Sequence, residues 1–228
     1  MMKKKKNQDR AARNLIAHTA PRSYIAEQFR TLRTNINFSS PDQDLQLLVV
    51  TSAAPAEGKS TAAANLAIVY AQEGKKVLLI DADMRRPTAH HTFRVRNVLG
   101  LSNVLTKQTS LNAAIKPTSI EGLELLTCGS IPPNPAELLG SKAMDKLIIH
   151  LKTIYDVIIF DSPPILSVAD GQIIANKCEG AILVLSSGKT EKRQAIKAKE
   201  TIAISNSKLI GVVLNNFKLP KNGLYYQY

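Results

Sequence analysis

The stretch that most constrains the fold is Thr51-Ser52-Ala53-Ala54-Pro55-Ala56-Glu57-Gly58-Lys59-Ser60-Thr61. The aliphatic run Leu47-Leu48-Val49-Val50 enters it, and the helix-forming run Ala62-Ala63-Ala64-Asn65-Leu66-Ala67 leaves it. Strand, loop, helix is the setting in which Gly-Lys-Ser marks a phosphate-binding loop. Backbone N–H groups of such a loop and the N-terminus of the following helix offer partial positive charge to a polyphosphate. Lys59 adds a full charge and Ser60 a hydroxyl for Mg²⁺. Two positions depart from the pattern G-x-x-x-x-G-K-[ST]. Ala53 replaces the first glycine, and Ala56 stands inside the loop where a glycine would turn more freely. An ordinary helix start carrying a lysine is the competing reading, and the features downstream weigh against it.

At 228 residues the chain can bury one good core, so one domain is expected. Its net charge of +12 favours anionic partners: nucleotide, acidic protein, anionic lipid or nucleic acid. Cys128 and Cys178 form neither a metal pattern nor a disulfide framework, which fits a reducing compartment; each also reads as a small buried side chain. No apolar run approaches the roughly 18 residues that span a bilayer. Lys3 to Lys6 resemble the start of a signal peptide, but Asn7-Gln8-Asp9-Arg10 follows instead of an apolar segment. A cytoplasmic chain is expected, attached to a membrane only through a partner or through charge.

Residues 1–20 are polar, basic and aperiodic, and read as a flexible arm or as a contact with an anionic membrane surface. The domain proper is expected over 21–217, with a mobile tail over 218–228. Ser23 is a candidate N-cap for an amphipathic helix over about 23–38. Ile25, Phe29, Leu32 and Ile36 share one face of it, while Glu27, Arg30 and Arg33 make a charged ridge. That ridge is either a solvated face or a subunit contact.

Leu45 to Val50 is the first core strand, and the helix after the loop runs to about Gln72. Val77-Leu78-Leu79-Ile80 reads as a strand buried on both faces, delivering Asp81-Ala82-Asp83-Met84-Arg85-Arg86-Pro87 at its end. Loops and short helices fill 88–117. Further strands are expected over Leu123–Cys128, from Tyr155 to Asp161, over Ala181–Leu185 and over Leu209–Asn216. Helices are expected from Asn134 or Pro135 to Leu139, after a Ser141 cap to about Thr153, and after a Thr190 cap to about Ile204. Strands alternating with helices imply an α/β, doubly wound, mostly parallel sheet with helices on both faces, whose ligands sit at strand carboxyl ends.

Asp81 and Asp161 each close an aliphatic strand, and Asp83 follows two residues after the first. Carboxylates beside a polyphosphate repel it unless a cation stands between them, so Mg²⁺ held by Ser60, phosphate oxygens and one or both strand-end acids is the economical reading. A lone strand-end Asp reads equally well as a turn or a cap.

Ala56 to Thr61, Leu78 to Pro87 and Val157 to Pro164 resemble the Walker A, A′ and B motifs of the bacterial tyrosine kinases, P-loop kinases of capsule and exopolysaccharide synthesis. Glu27, Arg30 and Arg33 resemble that family's subunit-contact motif. Tyr225, Tyr226 and Tyr228 resemble its autophosphorylated tail. The resemblance covers roughly residues 20–228, in order. It implies an ATP-dependent protein-tyrosine kinase that modifies those tail tyrosines between subunits of a ring. Glu57, Gly58, Lys59, Ser60 and Thr61 would cradle the phosphates. Ser60, Asp81 and Asp161 would hold Mg²⁺. Lys59, Asp81, Asp83 and Asp161 would carry the transfer, with Asp81 or Asp83 orienting or deprotonating the phenol. Asn215 would read adenine, although a strand-end turn accounts for it equally. The resemblance further implies a membrane adaptor that completes or activates the site and recruits the chain to the inner face of the membrane. A cognate phosphotyrosine phosphatase is also implied, and no nucleic acid is expected.

A partitioning or division-site ATPase, switching on DNA or membrane, would also suit the fold and the charge. Against it, the stretch from Ala53 to Gly58 lacks that group's early second lysine, and the tyrosine tail goes unexplained. A third reading is a scaffold that binds nucleotide without useful transfer.

Overall fold

A computed structural model of the chain describes residues 14–40 and 45–218. In chain order its elements are α1 (Ile16–Thr19), α2 (Tyr24–Phe38), β1 (Leu47–Ser52), α3 (Lys59–Ala71), β2 (Val77–Asp81), α4 (Ala89–Phe93), α5 (Leu101–Leu105) and α6 (Leu111–Ala114). There follow β3 (Ile115–Pro117), β4 (Leu123–Leu126), α7 (Pro135–Leu139), α8 (Lys142–Lys152), β5 (Val157–Asp161), α9 (Ala169–Ala175), β6 (Gly180–Ser186), α10 (Lys192–Ile204) and β7 (Lys208–Asn215). The seven strands form one sheet in the order β3-β4-β2-β5-β1-β6-β7. Every pairing is parallel except that of β3 with β4. The expected doubly wound, mostly parallel α/β sheet is the observed one.

Side chains alternate across a sheet, so a strand buried on both faces must be apolar throughout. Leu48, Val50, Leu79, Ile159 and Val184 point to the layer of α1, α2 and α3. Leu47, Val49, Leu78, Ile80, Ile158 and Phe160 point to the opposite layer, with Met144, Leu151, Ile174, Ala198 and Ile202 from α8, α9 and α10. Helix α3 is buried at every position but Thr61, as its alanine-rich, all-round apolar sequence requires. Ser23 and Ser141 cap α2 and α8 as expected, accepting from Ala26 N and Met144 N.

Four expectations are corrected. Residues 14–20, expected to be part of the flexible arm, pack on the domain: Ala17 is fully buried, its N–H donates to Asn65 Oδ1 over 2.9 Å, and Gln72 Nε2 donates to its carbonyl. Phe29, Leu32 and Ile36 of the expected apolar face of α2 pack on the core, but Ala26 replaces Ile25, which is exposed, and Arg33 turns inward. Residues 115–117, read as loop, form an antiparallel edge strand; Pro117 is tolerated there because an edge strand can spare a donor. Thr190 does not cap α10; the N-cap is Glu191, and the Thr190 hydroxyl is engaged elsewhere. Among the described residues no helix is long and apolar enough to cross a membrane.

Candidate active site

Strands β2, β5 and β1 lie side by side at the centre of the sheet, so their carboxyl ends converge. Asp81 and Asp161 are register partners at the ends of β2 and β5, and the phosphate loop leaves β1 beside them. Gly58 is the left-handed N-cap of α3 at φ +98, which places Lys59, Ser60 and Thr61 in that helix's first turn. An open cleft of about 650 Å³ lies over this edge, lined by Lys59, Ser60, Asp83, Arg85 and Arg86 among others.

The ammonium of Lys59 stands among the acids. Its Nζ is 2.8 Å from Asp83 Oδ2 and 3.5 Å from Asp161 Oδ1. Burial pulls the Lys59 pKa down, but the charges of Asp161 and Asp83, with Asp81 beyond, outweigh it and hold the group above the ordinary lysine value. Asp81 is completely buried. Its Oδ2 accepts from Thr88 N at 2.8 Å and Ala89 N at 2.9 Å, while its Oδ1 has no hydrogen-bond partner. Burial, then the charge of Asp161, pushes its pKa up to about 7 against the pull of those two N–H groups. An orphaned carboxylate oxygen beside a lysine shared by two further acids is a donor set short of positive charge.

Three hard-oxygen side chains, Ser60, Asp81 and Asp161, therefore fit Mg²⁺ in chemistry. Among the described residues no group of three or more His, Cys, Asp or Glu could hold a metal by itself. Mg²⁺ suits such a site, because it retains waters and takes phosphate oxygens rather than a full protein cage.

The loop itself is held from behind. Glu57 is buried; its Oε2 accepts from Ala54 N at 2.9 Å, and its Oε1 accepts from the Thr190 hydroxyl. Asn215 Nδ2 donates to the Glu57 carbonyl at 2.9 Å. Glu57 and Asn215 are thus brought to the loop's backbone rather than to the cleft wall. Of the two alanines, Ala56 does adopt φ +64, the conformation that favours glycine. Ala53 does not need that freedom; it is a buried core residue.

Sequence reasoning missed the far wall. Arg85 makes a two-point contact with the fully buried Asp170, at 2.8 and 3.1 Å. Thr88, His91 and Thr92 also line the cleft. Arg85 and Arg86 directly follow the expected A′ acids, which is a signal; Asp170, 85 positions further on, offers none locally.

Away from the cleft, Glu27 and Arg30 pair at 2.8 Å on the surface of α2, and Arg30 also donates to Pro21 O. Arg33 donates to Val69 O at the end of α3 and lies 3.4 Å from Glu73. The three residues expected to make a subunit contact are therefore split: Glu27 and Arg30 lie at the surface of α2, and Arg33 packs back on α3. Tyr225, Tyr226 and Tyr228 lie outside the described residues.

A parallel sheet with a Gly-Lys-Ser loop and acids at two neighbouring strand ends defines a P-loop nucleoside-triphosphatase fold. A family model described as an AAA domain matches residues 55–187. Tyrosine-protein kinase YwqD of Bacillus subtilis (strain 168) is 53% identical over 228 residues, covering 100% of this chain and 96% of that protein. The putative tyrosine-protein kinase CapB of Staphylococcus aureus is 41% identical over 214 residues, covering 94% of each. The crystal structure of the chimerical protein CapA2B2 superposes with a TM-score of 0.86 at 43% identity, covering 91% of this chain and 92% of that one. The chain belongs to the bacterial tyrosine-protein kinase family and is a protein-tyrosine kinase.

Proposed function

We propose that the chain uses Mg·ATP to phosphorylate the tyrosines of its own C-terminal sequence, Tyr225, Tyr226 and Tyr228, between subunits. The observation that carries this reading is the position of Lys59 Nζ, 2.8 Å from Asp83 and 3.5 Å from Asp161 at the floor of the cleft. A polyphosphate with its cation would take over the charges that now neutralise one another there.

In this reading Lys59, the backbone of Gly58 to Thr61 and the α3 N-terminus hold the β- and γ-phosphates. Ser60, Asp161 and Asp81 would hold Mg²⁺, which would supply positive charge to offset that developing on the transferring phosphoryl group. Asp83 faces the phenol, because it lines the cleft while Asp81 is buried and tied to the Thr88 and Ala89 N–H groups. The phenolic oxygen bonds to the γ-phosphorus as the bond to the β–γ bridging oxygen breaks; ADP leaves, and the phenolic proton passes to Asp83. A phenol with pKa near 10 is not ionised beforehand by an aspartate near 3.9, so the proton moves late. Most of the rate then comes from positioning and electrostatics.

Glu27 and Arg30 supply the outward part of a ring contact, with Arg33 setting the position of α2 on α3. Residence in the cytoplasm at the inner face of the membrane, an activating membrane adaptor, a cognate phosphotyrosine phosphatase and a role in capsule or exopolysaccharide synthesis complete the reading. The names of the relatives support it: one is called a putative tyrosine-protein kinase in the cps region of Klebsiella pneumoniae.

The test is the intact mass of the purified chain after Mg·ATP, with and without the adaptor's cytoplasmic segment. Lys59→Met and a chain truncated after Gly223 are run beside it. Stepwise phosphate additions lost in both variants are expected. Nucleotide hydrolysis with an unmodified tail would instead favour the switch ATPase.

A further inference from the structure

Among the described residues, three cations line the cleft: Lys59, Arg85 and Arg86. Lys59 is balanced by Asp83 and Asp161, and Arg85 by Asp170. Arg86 is exposed and has no carboxylate partner among the described residues. Its backbone is nevertheless anchored, because the main-chain N–H of Arg86 donates to Asp83 Oδ1 at 3.1 Å. The side chain thus starts three residues from the carboxylate that faces the phenol and extends along the same cleft.

The tail sequence, Tyr225-Tyr226-Gln227-Tyr228, puts every acceptor within three positions of another. Once one is modified, the next phenol arrives beside a phosphate monoester carrying about −1.5 to −2 charge at neutral pH. The floor of the site is acidic, with Asp83 and Asp161 sharing the one ammonium of Lys59 among the described residues, so a neighbouring phosphate is repelled there. A guanidinium offers planar, two-point hydrogen bonding to a phosphate and is always charged.

We propose that Arg86 forms an acceptor subsite for phosphotyrosine, which holds the already modified residue of a tail while a neighbouring tyrosine is phosphorylated. The proposal rests on the tail being the substrate. It gives the kinase a preference for partly phosphorylated tails, so later additions are not slowed by the charge of earlier ones. Arg85 does not serve in its place, since its fork is taken by Asp170.

The experiment follows the populations carrying one, two and three phosphates over time by intact mass, using the full chain with Mg·ATP and the adaptor segment. Wild type, Arg86→Gln and Arg86→Lys are compared, and the KM for ATP is measured for each. The rate of the second addition relative to the first is expected to fall about tenfold in Arg86→Gln, the loss typical of one charge-assisted hydrogen bond. Arg86→Lys should recover part of that ratio, and the KM for ATP should stay within about twofold. An unchanged ratio in Arg86→Gln overturns the subsite. So does an equal slowing of all additions with a raised KM for ATP, which would give Arg86 to the nucleotide. Wild-type protein that gains no tail phosphate at all would instead refute the tail-kinase reading on which the subsite depends.

Discussion

The side-chain amide of Asn215 donates to the carbonyl oxygen of Glu57 over 2.9 Å, joining the last strand to the phosphate loop across 158 positions of sequence. The same amide packs against Gly58 so closely that a Cβ there would stand 2.0 Å from Nδ2. Loop and strand end therefore fix each other, and Gly58 must lack a side chain for two reasons: contact and φ +98. Asn215→Ala is expected to raise the KM for ATP about tenfold, since one hydrogen bond to a loop carbonyl is worth about 1–1.5 kcal/mol. Gly58→Ala should abolish nucleotide binding, measured by fluorescent-nucleotide titration. Adding Asn215→Ala should restore binding only in part, because it removes the clash and leaves the strained φ. Full restoration would show that φ is immaterial there.

Ala56 carries strain that its neighbours do not share. Alanine in the left-handed region costs roughly 1–2 kcal/mol, and glycine offsets that at some cost in chain entropy. Ala56→Gly is expected to stabilise the nucleotide-free protein by about 0.5–1 kcal/mol, a rise of about 2 °C in Tm for a domain of this size. Calorimetry decides it. A fall in Tm would mean that the alanine's contacts outweigh its backbone strain.

The main architecture was legible because it rests on local signals. Unbroken apolar runs at Val77–Ile80 and Val157–Phe160 mark strands buried on both faces, and acids at their ends mark the mouth of the sheet. What escaped rests on distance or on a small shift of register. The turn of Arg33 toward Val69 depends on which residue of α2 faces α3, and Ala26 is too small to dominate an apolar pattern. The engagement of Thr190 with Glu57, and of Arg85 with Asp170, joins segments that only the folded sheet brings together. Strand β3 is three residues long and ends in proline, so no periodicity could reveal it.

Asp81 illustrates a conflict between stability and function. Its folded pKa of about 7 lies above the ordinary 3.8, so the folded state keeps a proton that the unfolded chain releases. Its contribution to stability is therefore fully present below pH about 4 and is lost as pH rises toward 7. Asp81→Asn removes that loss. The variant should melt at a higher temperature than wild type at pH 8, and the gap should narrow by pH 5, in nucleotide-free protein. Phosphate transfer should fall by at least about a hundredfold, since a group serving developing charge is removed. Equal melting temperatures at pH 8 would show that Asp81 is ionised without penalty.

Glu179 behaves in the opposite sense, far from the cleft. Its Oε1 accepts from Lys152 Nζ at 2.6 Å, and its Oε2 from Gln46 N at 2.7 Å and Leu47 N at 3.0 Å, so one carboxylate ties α8 to the start of β1. Burial alone would raise its pKa, but the Lys152 hydrogen bond and the two N–H groups outweigh it and hold it below the ordinary 4.5. A lowered carboxylate pKa stabilises the fold above the unfolded value, and that stability disappears as pH falls through the folded one. Glu179→Gln should cost about 1–2 kcal/mol at pH 7, the worth of charge-assisted bonds at a partly exposed site. The difference from wild type should shrink steadily below pH about 4.5 in urea melts taken across pH. A difference that stays constant down to pH 3 would place the effect in packing of the side chain and not in its charge.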